Sequence, residues 1–329
     1  VAGLSALANF LWLPYHQVWA IVVIAFDVFV IRALTAHGRD ITRIWPHPAR
    51  PPFVLRRPAD PSTLEGEPLR GGEGSVVTID QRIAGLRRYN LVAAALHAGQ
   101  AVIVLALAND FTLPVTAHYL AGPPGTMPSD AVTLLDTPVG LAVAGFFALS
   151  AVAHLVLASP QFFDRYRAGL LEHHNYFRWV EYSLSSSLMI VLIAQLVGIS
   201  DVAALIAVFG VNASMILFGW LQEKYQEPGD GGWLPFVFGC LAGIVPWLAV
   251  VVYTVAPGST SGATPPAFVY AIIVSLFVFF NVFAVNQWLQ YRQVGRWRDY
   301  LVGERAYITL SLVAKSALAW QVFAGTLAG

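Results

Sequence analysis

The chain has 329 residues, 57% of them hydrophobic and only 12% charged, with 19 Lys and Arg balancing 19 Asp and Glu. A soluble domain carries about 25% charged residues, so this composition describes a membrane protein, and with a formal net charge of zero nothing points to nucleic acid. The single cysteine, Cys240, excludes an intramolecular disulfide and a thiolate zinc cluster; its apolar surroundings read as those of an inert buried thiol.

In chain order, the first element is an apolar piece from Val1 to about Leu13, followed by a turn at "LPYH" and a full span from about Val18 to Leu34. The apolar start at Val1, without a methionine, reads as that of a fragment, so residues 1–35 are expected to be the end of a fused transmembrane segment. Asp27 lies inside that span and is assigned no role. Residues 36–80 are rich in Pro, Gly and Arg and lack apolar periodicity, which predicts a mostly disordered tether whose bases can touch anionic lipid headgroups. Windows of about 20 apolar residues, the length that crosses a bilayer, then fall near 89–108, 138–158, 175–198, 203–221, 233–255, 267–290 and 303–327. The long connection at about 109–137 has a turn signal, "AGPPG", between short β-prone runs and predicts a small hairpin.

Basic residues orient these spans. Ten arginines from Arg32 to Arg88 are assigned to the tether; Arg165, Arg167, Arg178, Lys224, Arg292, Arg296, Arg298 and Arg305 lie at alternate connections. The intervening connections at about 109–137, 199–202 and 256–266 contain neither Lys nor Arg. By the positive-inside rule the seven-span unit, residues 81–329, has its amino end in the cytoplasm and its carboxyl end outside a plasma membrane. The preference for arginine, with abundant Ala, Gly and Pro, fits a high-GC genome.

Ionisable residues inside a membrane mark functional sites and need partners. Four stand out: His97, His154, Glu181 and Lys315 in the first, second, third and seventh spans, with Arg178 one turn before Glu181. Lys315 is about a dozen residues from either end of its span, too central to snorkel easily. It reads either as a lysine paired merely to stay buried or as an amine that forms a Schiff base with an aldehyde. Glu181, taken as the one carboxylate among the spans, shifts the balance to the second reading, because a protonated Schiff base needs a nearby negative charge. Ser311 lies at i−4 from Lys315; Ser185, at i+4 from Glu181, and Met189 continue the face bearing the carboxylate. Ser183, Ser186 and Ser187 are read as small residues that let helices approach. His97 and His154 read either as hydrogen-bonded packing residues or as groups that take up a proton, since imidazole titrates near neutrality.

Seven spans with a lysine in the last and a carboxylate in the third resemble retinal-binding rhodopsins, and the motifs resemble one branch, the heliorhodopsins. "RWVEYSLSSSLM", from Arg178 to Met189, is similar to their third helix, and "ITLSLVAKSALAW" to their seventh. "LRRYNLVAAALHAGQ" and "LSAVAHLVLAS" are similar to the first two helices. The resemblance implies an all-α, seven-transmembrane-helix bundle. It also implies all-trans retinal on Lys315 as a protonated Schiff base, with Glu181 as sole counterion and Ser311, Ser185, Tyr182, Met189 and Asn212 in the pocket. It places His97, His154 and Arg178 in a proton-accepting polar pocket. The family's amino end inside, small β-hairpin in the first extracellular loop and homodimeric assembly are implied with it. Residues 1–35 resemble the last helices of a small actinobacterial membrane domain of unknown function, which implies an actinobacterial host.

Residue identities weigh against ion pumping. Pumps hold a second carboxylate about three turns beyond the counterion, where this chain has Leu192, and most microbial rhodopsins place an aspartate where Ser311 stands. A non-enzymatic light sensor acting on an unknown cytoplasmic signalling partner is therefore expected, ahead of a light-driven proton pump or proton-conducting rhodopsin. A non-photoactive transporter is remoter still, since no transporter-like helix repeat, catalytic triad or metal-ligand cluster is visible.

Overall fold

The computed structural model describes residues 78–256, 259 and 261–327. The span near 18–34, Asp27 and the tether up to residue 77 lie outside the described residues.

Helix α1 (Ile79–Leu107) begins at a reciprocal capping box: the Gln81 amide donates to Thr78 Oγ1 at 3.3 Å, and the Thr78 amide donates to Gln81 Oε1 at 3.0 Å. It leads into an antiparallel hairpin of β1 (Thr112–Ala117) and β2 (Val132–Pro138) in register Thr112↔Pro138 to Ala117↔Val132, with a bulge at Val115/Thr116. Helices α2 (Val139–Ala158), the short α3 (Pro160–Leu171), α4 (Tyr176–Leu196), α5 (Val202–Tyr225), α6 (Leu234–Val255), α7 (Ala267–Tyr291) and α8 (Tyr300–Val322) follow, with a π turn over Phe323–Leu327. Asn175, Asp201 and Asp299 cap α4, α5 and α8 by accepting backbone amides that have no partner inside the helix.

All the described helices except α3 are long and apolar enough to cross a bilayer, which makes seven spans. Between the first two sits the expected two-stranded hairpin, tied to the α4–α5 connection by Thr116 N–H donating to the Ser200 carbonyl at 2.8 Å. The last span is the centre of the bundle: 83% of its apolar window is buried, against 17% for α5. Lys315 thus stands on the helix with the least access to lipid, surrounded by a core from every side.

The first span is longer than expected. It starts at Ile79 rather than near 89, so Arg82, Arg87 and Arg88 belong to a helix and not to the tether. Packing explains the extension: Arg82 pairs with Asp299, and Arg87 donates to the Ala158 carbonyl at 2.9 Å while its guanidinium lies 4.5 Å over the Phe163 ring. Cys240 is exposed on α6 and not buried, because α6 turns much of its apolar surface outward.

Candidate functional site

At the heart of the site Lys315 Nζ donates to Glu181 Oε1 at 3.0 Å and to Ser311 Oγ at 2.8 Å. The lysine is 3% exposed and the glutamate 9%. Two ions so far from water persist only as a pair with further hydrogen bonds, and Ser150 on α2 contributes one by donating to Glu181 Oε1 at 2.6 Å. The ammonium also lies 5.2 Å from the centre of the Tyr182 ring, whose hydroxyl donates to the Tyr307 carbonyl at 2.9 Å. These helices meet there because α4 and α8 each put their polar residues on one stripe: Glu181 and Ser185 on one, Ser311 and Lys315 on the other.

Lys315 and Ser311 form one wall of a cavity of about 180 Å³. A single water needs only about 10–15 Å³ of such space, so this volume suits an organic molecule. Its lining is chiefly aromatic and aliphatic: Trp179, Tyr182, Met189, Met215, Phe280 and Phe283 are examples, with Trp247 set edge-on to Phe277 and Phe280 at 5.3 and 5.6 Å. Gly219, Gly239 and Gly243 line it too; a β-carbon at Gly219 would come within 2.5 Å of the Trp179 ring.

On the side away from the cavity, His97 and His154 stack with ring centres 5.5 Å apart. His154 Nδ1 donates to Asn90 Oδ1 at 2.7 Å, a direction set by Asn90 Nδ2 donating to the Leu86 carbonyl. Neither nitrogen of the fully buried His97 has a hydrogen-bond partner among the described residues. Ser185 and Met189 line the cavity beside Glu181. Asn212 does not line it and acts one bond removed, its Nδ2 donating to Ser186 Oγ at 2.9 Å and Ser187 Oγ at 3.1 Å. Ser186 and Ser187 therefore do more than permit close helix approach, and Ser186 itself borders the cavity.

Arg178 is drawn elsewhere. Its guanidinium donates to Glu223 Oε1 at 2.6 Å and pairs with Glu304, all three groups almost fully buried at the end of the bundle away from the hairpin. Glu223 also accepts from Trp179 Nε1 at 2.5 Å and Tyr300 OH at 2.8 Å; Glu304 accepts from Asn175 Nδ2 at 2.6 Å and Tyr166 OH at 3.1 Å. Burial in the short helix α3 pushes the Tyr166 hydroxyl well above its usual range, which keeps it a donor. Glu181 is thus not the one buried carboxylate of the spans. Glu304 sits one residue inside the edge of the hydropathy window that opens at 303, where it reads as a terminal charge, although it lies eleven residues, three turns, before Lys315 on the same helix face. Ser150 was legible only as the residue at i−4 from His154.

A seven-helix membrane bundle with a buried lysine on its last helix, a carboxylate partner on the third and an organic-sized aromatic cavity is the architecture of a retinal protein. Comparison with protein families agrees: the heliorhodopsin family matches residues 86–327, and the chain belongs to it. The family is one of retinal-binding, light-sensing membrane proteins without enzymatic activity. Residues 1–39 match a second family, a domain of unknown function, DUF7144. No curated protein matches the chain.

Proposed function

We propose that this protein is a light sensor that holds all-trans retinal on Lys315 as a protonated Schiff base, with Glu181 as its sole counterion, and that its photocycle signals and does not pump. The observation that carries the reading is the Lys315 amine, 3.0 Å from Glu181 and 2.8 Å from Ser311, at the wall of a cavity of organic size. The residues present suit the group: an amine for attachment, one adjacent negative charge, and an aromatic sleeve for a polyene. Bound there, retinal supplies light absorption and isomerisation.

The chain's own groups do the rest. Glu181, steadied by Ser150, balances the positive charge at the attachment point. Ser311 and Tyr182 orient that point from the two sides. His154 keeps its Nδ1 proton on Asn90 and leaves Nε2 free to accept another; the stacked His97 offers a second imidazole with no competing partner among the described residues. The pair is our candidate for temporary proton storage, in keeping with imidazole's titration range. Leu192, 2% exposed and apolar, stands where a pump would carry its internal donor, which supports a sensor.

The arginine distribution supports an orientation with the amino end of the seven-helix unit in the cytoplasm of a plasma membrane, where the tether would meet a signalling partner. The lipid-facing apolar side chains of α5 to α7 fit the bilayer, and the exposed Leu134 and Leu135 on β2 fit a homodimer contact at the hairpin.

The test is spectroscopic. Adding all-trans retinal to the purified protein is expected to give a visible band that hydroxylamine bleaches and that Lys315→Ala lacks. A visible band surviving in Lys315→Ala refutes the attachment. A protonophore-sensitive pH change in illuminated cells would replace the sensor by a pump.

A further inference from the structure

Between the lysine site and the Arg178 cluster lies a second, smaller chamber of about 20 Å³. Glu181 and His154 border one end, Glu304, Arg178 and Asn175 the other, and Asn90 the side. Its volume exceeds the roughly 10–15 Å³ one water requires, and it offers more than the two to four polar partners such a water needs. The two carboxylates at its ends make no hydrogen bond to each other, and the chamber is the space that both of them border.

Direct hydrogen bonds also run from His154 through Asn90 and Tyr166 to Glu304, at 2.7, 3.4 and 3.1 Å. That chain transmits geometry, but a carboxamide does not hand on a proton, so a proton needs the water route. Its natural terminus is Glu304. Two carboxylates share one guanidinium, which leaves the buried cluster one negative charge in excess, and a single proton would neutralise it. Glu223 already accepts from four donors, Arg178, Trp179, Tyr300 and the Asn175 amide, and does not border the chamber. Glu304 does.

We propose that the chamber holds one water molecule and that Glu304 is the proton acceptor at this end of the bundle. A proton that leaves the lysine nitrogen is taken up at His154 Nε2 and crosses the water to the Glu304 carboxylate, which becomes a carboxylic acid and leaves His154 neutral again, with Glu181 a carboxylate throughout; the return reverses the transfer. The inference rests on the retinal reading for its light trigger. The groups facing Glu304 are Tyr166 from α3, Asn175 and Arg178 from the start of α4, and Glu223 from α5 across the guanidinium.

Infrared spectroscopy tests it in two preparations. In the retinal-loaded protein, a light-induced carboxylic-acid C=O band, shifted in D2O, is expected in the wild type and absent in Glu304→Gln, with the visible band retained in both. Ala153→Val, which fills the chamber without removing a polar group, is expected to delay that band about a hundredfold, the low end of what a positioned proton-transfer group contributes. In the retinal-free protein kept dark, hydrogen–deuterium exchange at the ring N–H of His154, which borders the chamber, is expected to slow in Ala153→Val. A light-induced band persisting in Glu304→Gln, or unchanged timing and exchange in Ala153→Val, overturns the proposal. Absence of any visible band with retinal overturns the chromophore reading instead, and the dark exchange measurement still decides the chamber. Should Glu304→Gln fail to fold, Ala153→Val decides both arms.

Discussion

Arg178→Met offers the sharpest test of what holds the site in place. The guanidinium is 4% exposed and bridges Glu223 and Glu304, themselves 3% and 1% exposed, while lying 4.7 and 4.1 Å over the Trp179 and Tyr307 rings. Its removal strands two buried carboxylates, and breaking a buried ion pair from one side costs about 3–5 kcal/mol, cation–π contacts included. At about 1.4 kcal/mol per factor of ten, the folded-to-unfolded ratio falls by roughly two to four powers of ten. The assay is unfolding of the detergent-solubilised protein in sodium dodecyl sulfate, followed by circular dichroism and by loss of the visible band. The triple variant Arg178→Met, Glu223→Gln, Glu304→Gln removes every charge of the cluster and is expected to recover at least half the loss, because nothing is left uncompensated. A single variant within about 1 kcal/mol of wild type, the range of an exposed pair, or a triple variant no better than the single, refutes this account.

Three further outcomes concern the cavity. Glu181→Gln removes the negative charge 3.0 Å from the lysine nitrogen and is expected to shift the resting visible band to the red; an unchanged spectrum means another group balances the charge. Ser150→Ala takes away the 2.6 Å donor that spreads the Glu181 charge, so the opposite, blue shift is expected, with a stability loss of about 1.5–3 kcal/mol as for a hydrogen bond to a charged group. Gly219→Val drives the Trp179 ring toward the cavity, which predicts weaker retinal uptake and an overpacking cost of about 1–3 kcal/mol; equal uptake by titration would show that the ring has room to move.

Much of this protein was legible before folding. Apolar windows placed all seven spans within a few residues at most ends, because a bilayer imposes its thickness on any helix that crosses it. The union of Lys315 and Glu181 was legible for a related reason, since an ammonium deep in an apolar span needs a carboxylate on a neighbouring helix and Glu181 is the one that reads as lying within the spans. The misses are residues whose roles depend on distant chain. Glu304 sat just inside the edge of a hydropathy window, and Ser150 was one small polar residue among many.

Arg178 marks the divide. One turn before Glu181 in sequence, it reads as part of the same polar pocket, yet its partners are 45 and 126 residues away. Side chains on a helix lean toward its amino end, and a turn advances about 5 Å, so the long arginine arm reaches back from Glu181 toward the end of the bundle. Sequence alone determined which helices form, where the charges sit along them and that a lysine and a glutamate must meet. The tertiary structure decided which serine steadies the glutamate, which carboxylates claim the arginine, and that a cavity opens on one side of the lysine and a small chamber beside its partner. Helix formation and hydrophobic span are local properties of the chain, whereas those choices follow from how seven helices turn their faces toward one another.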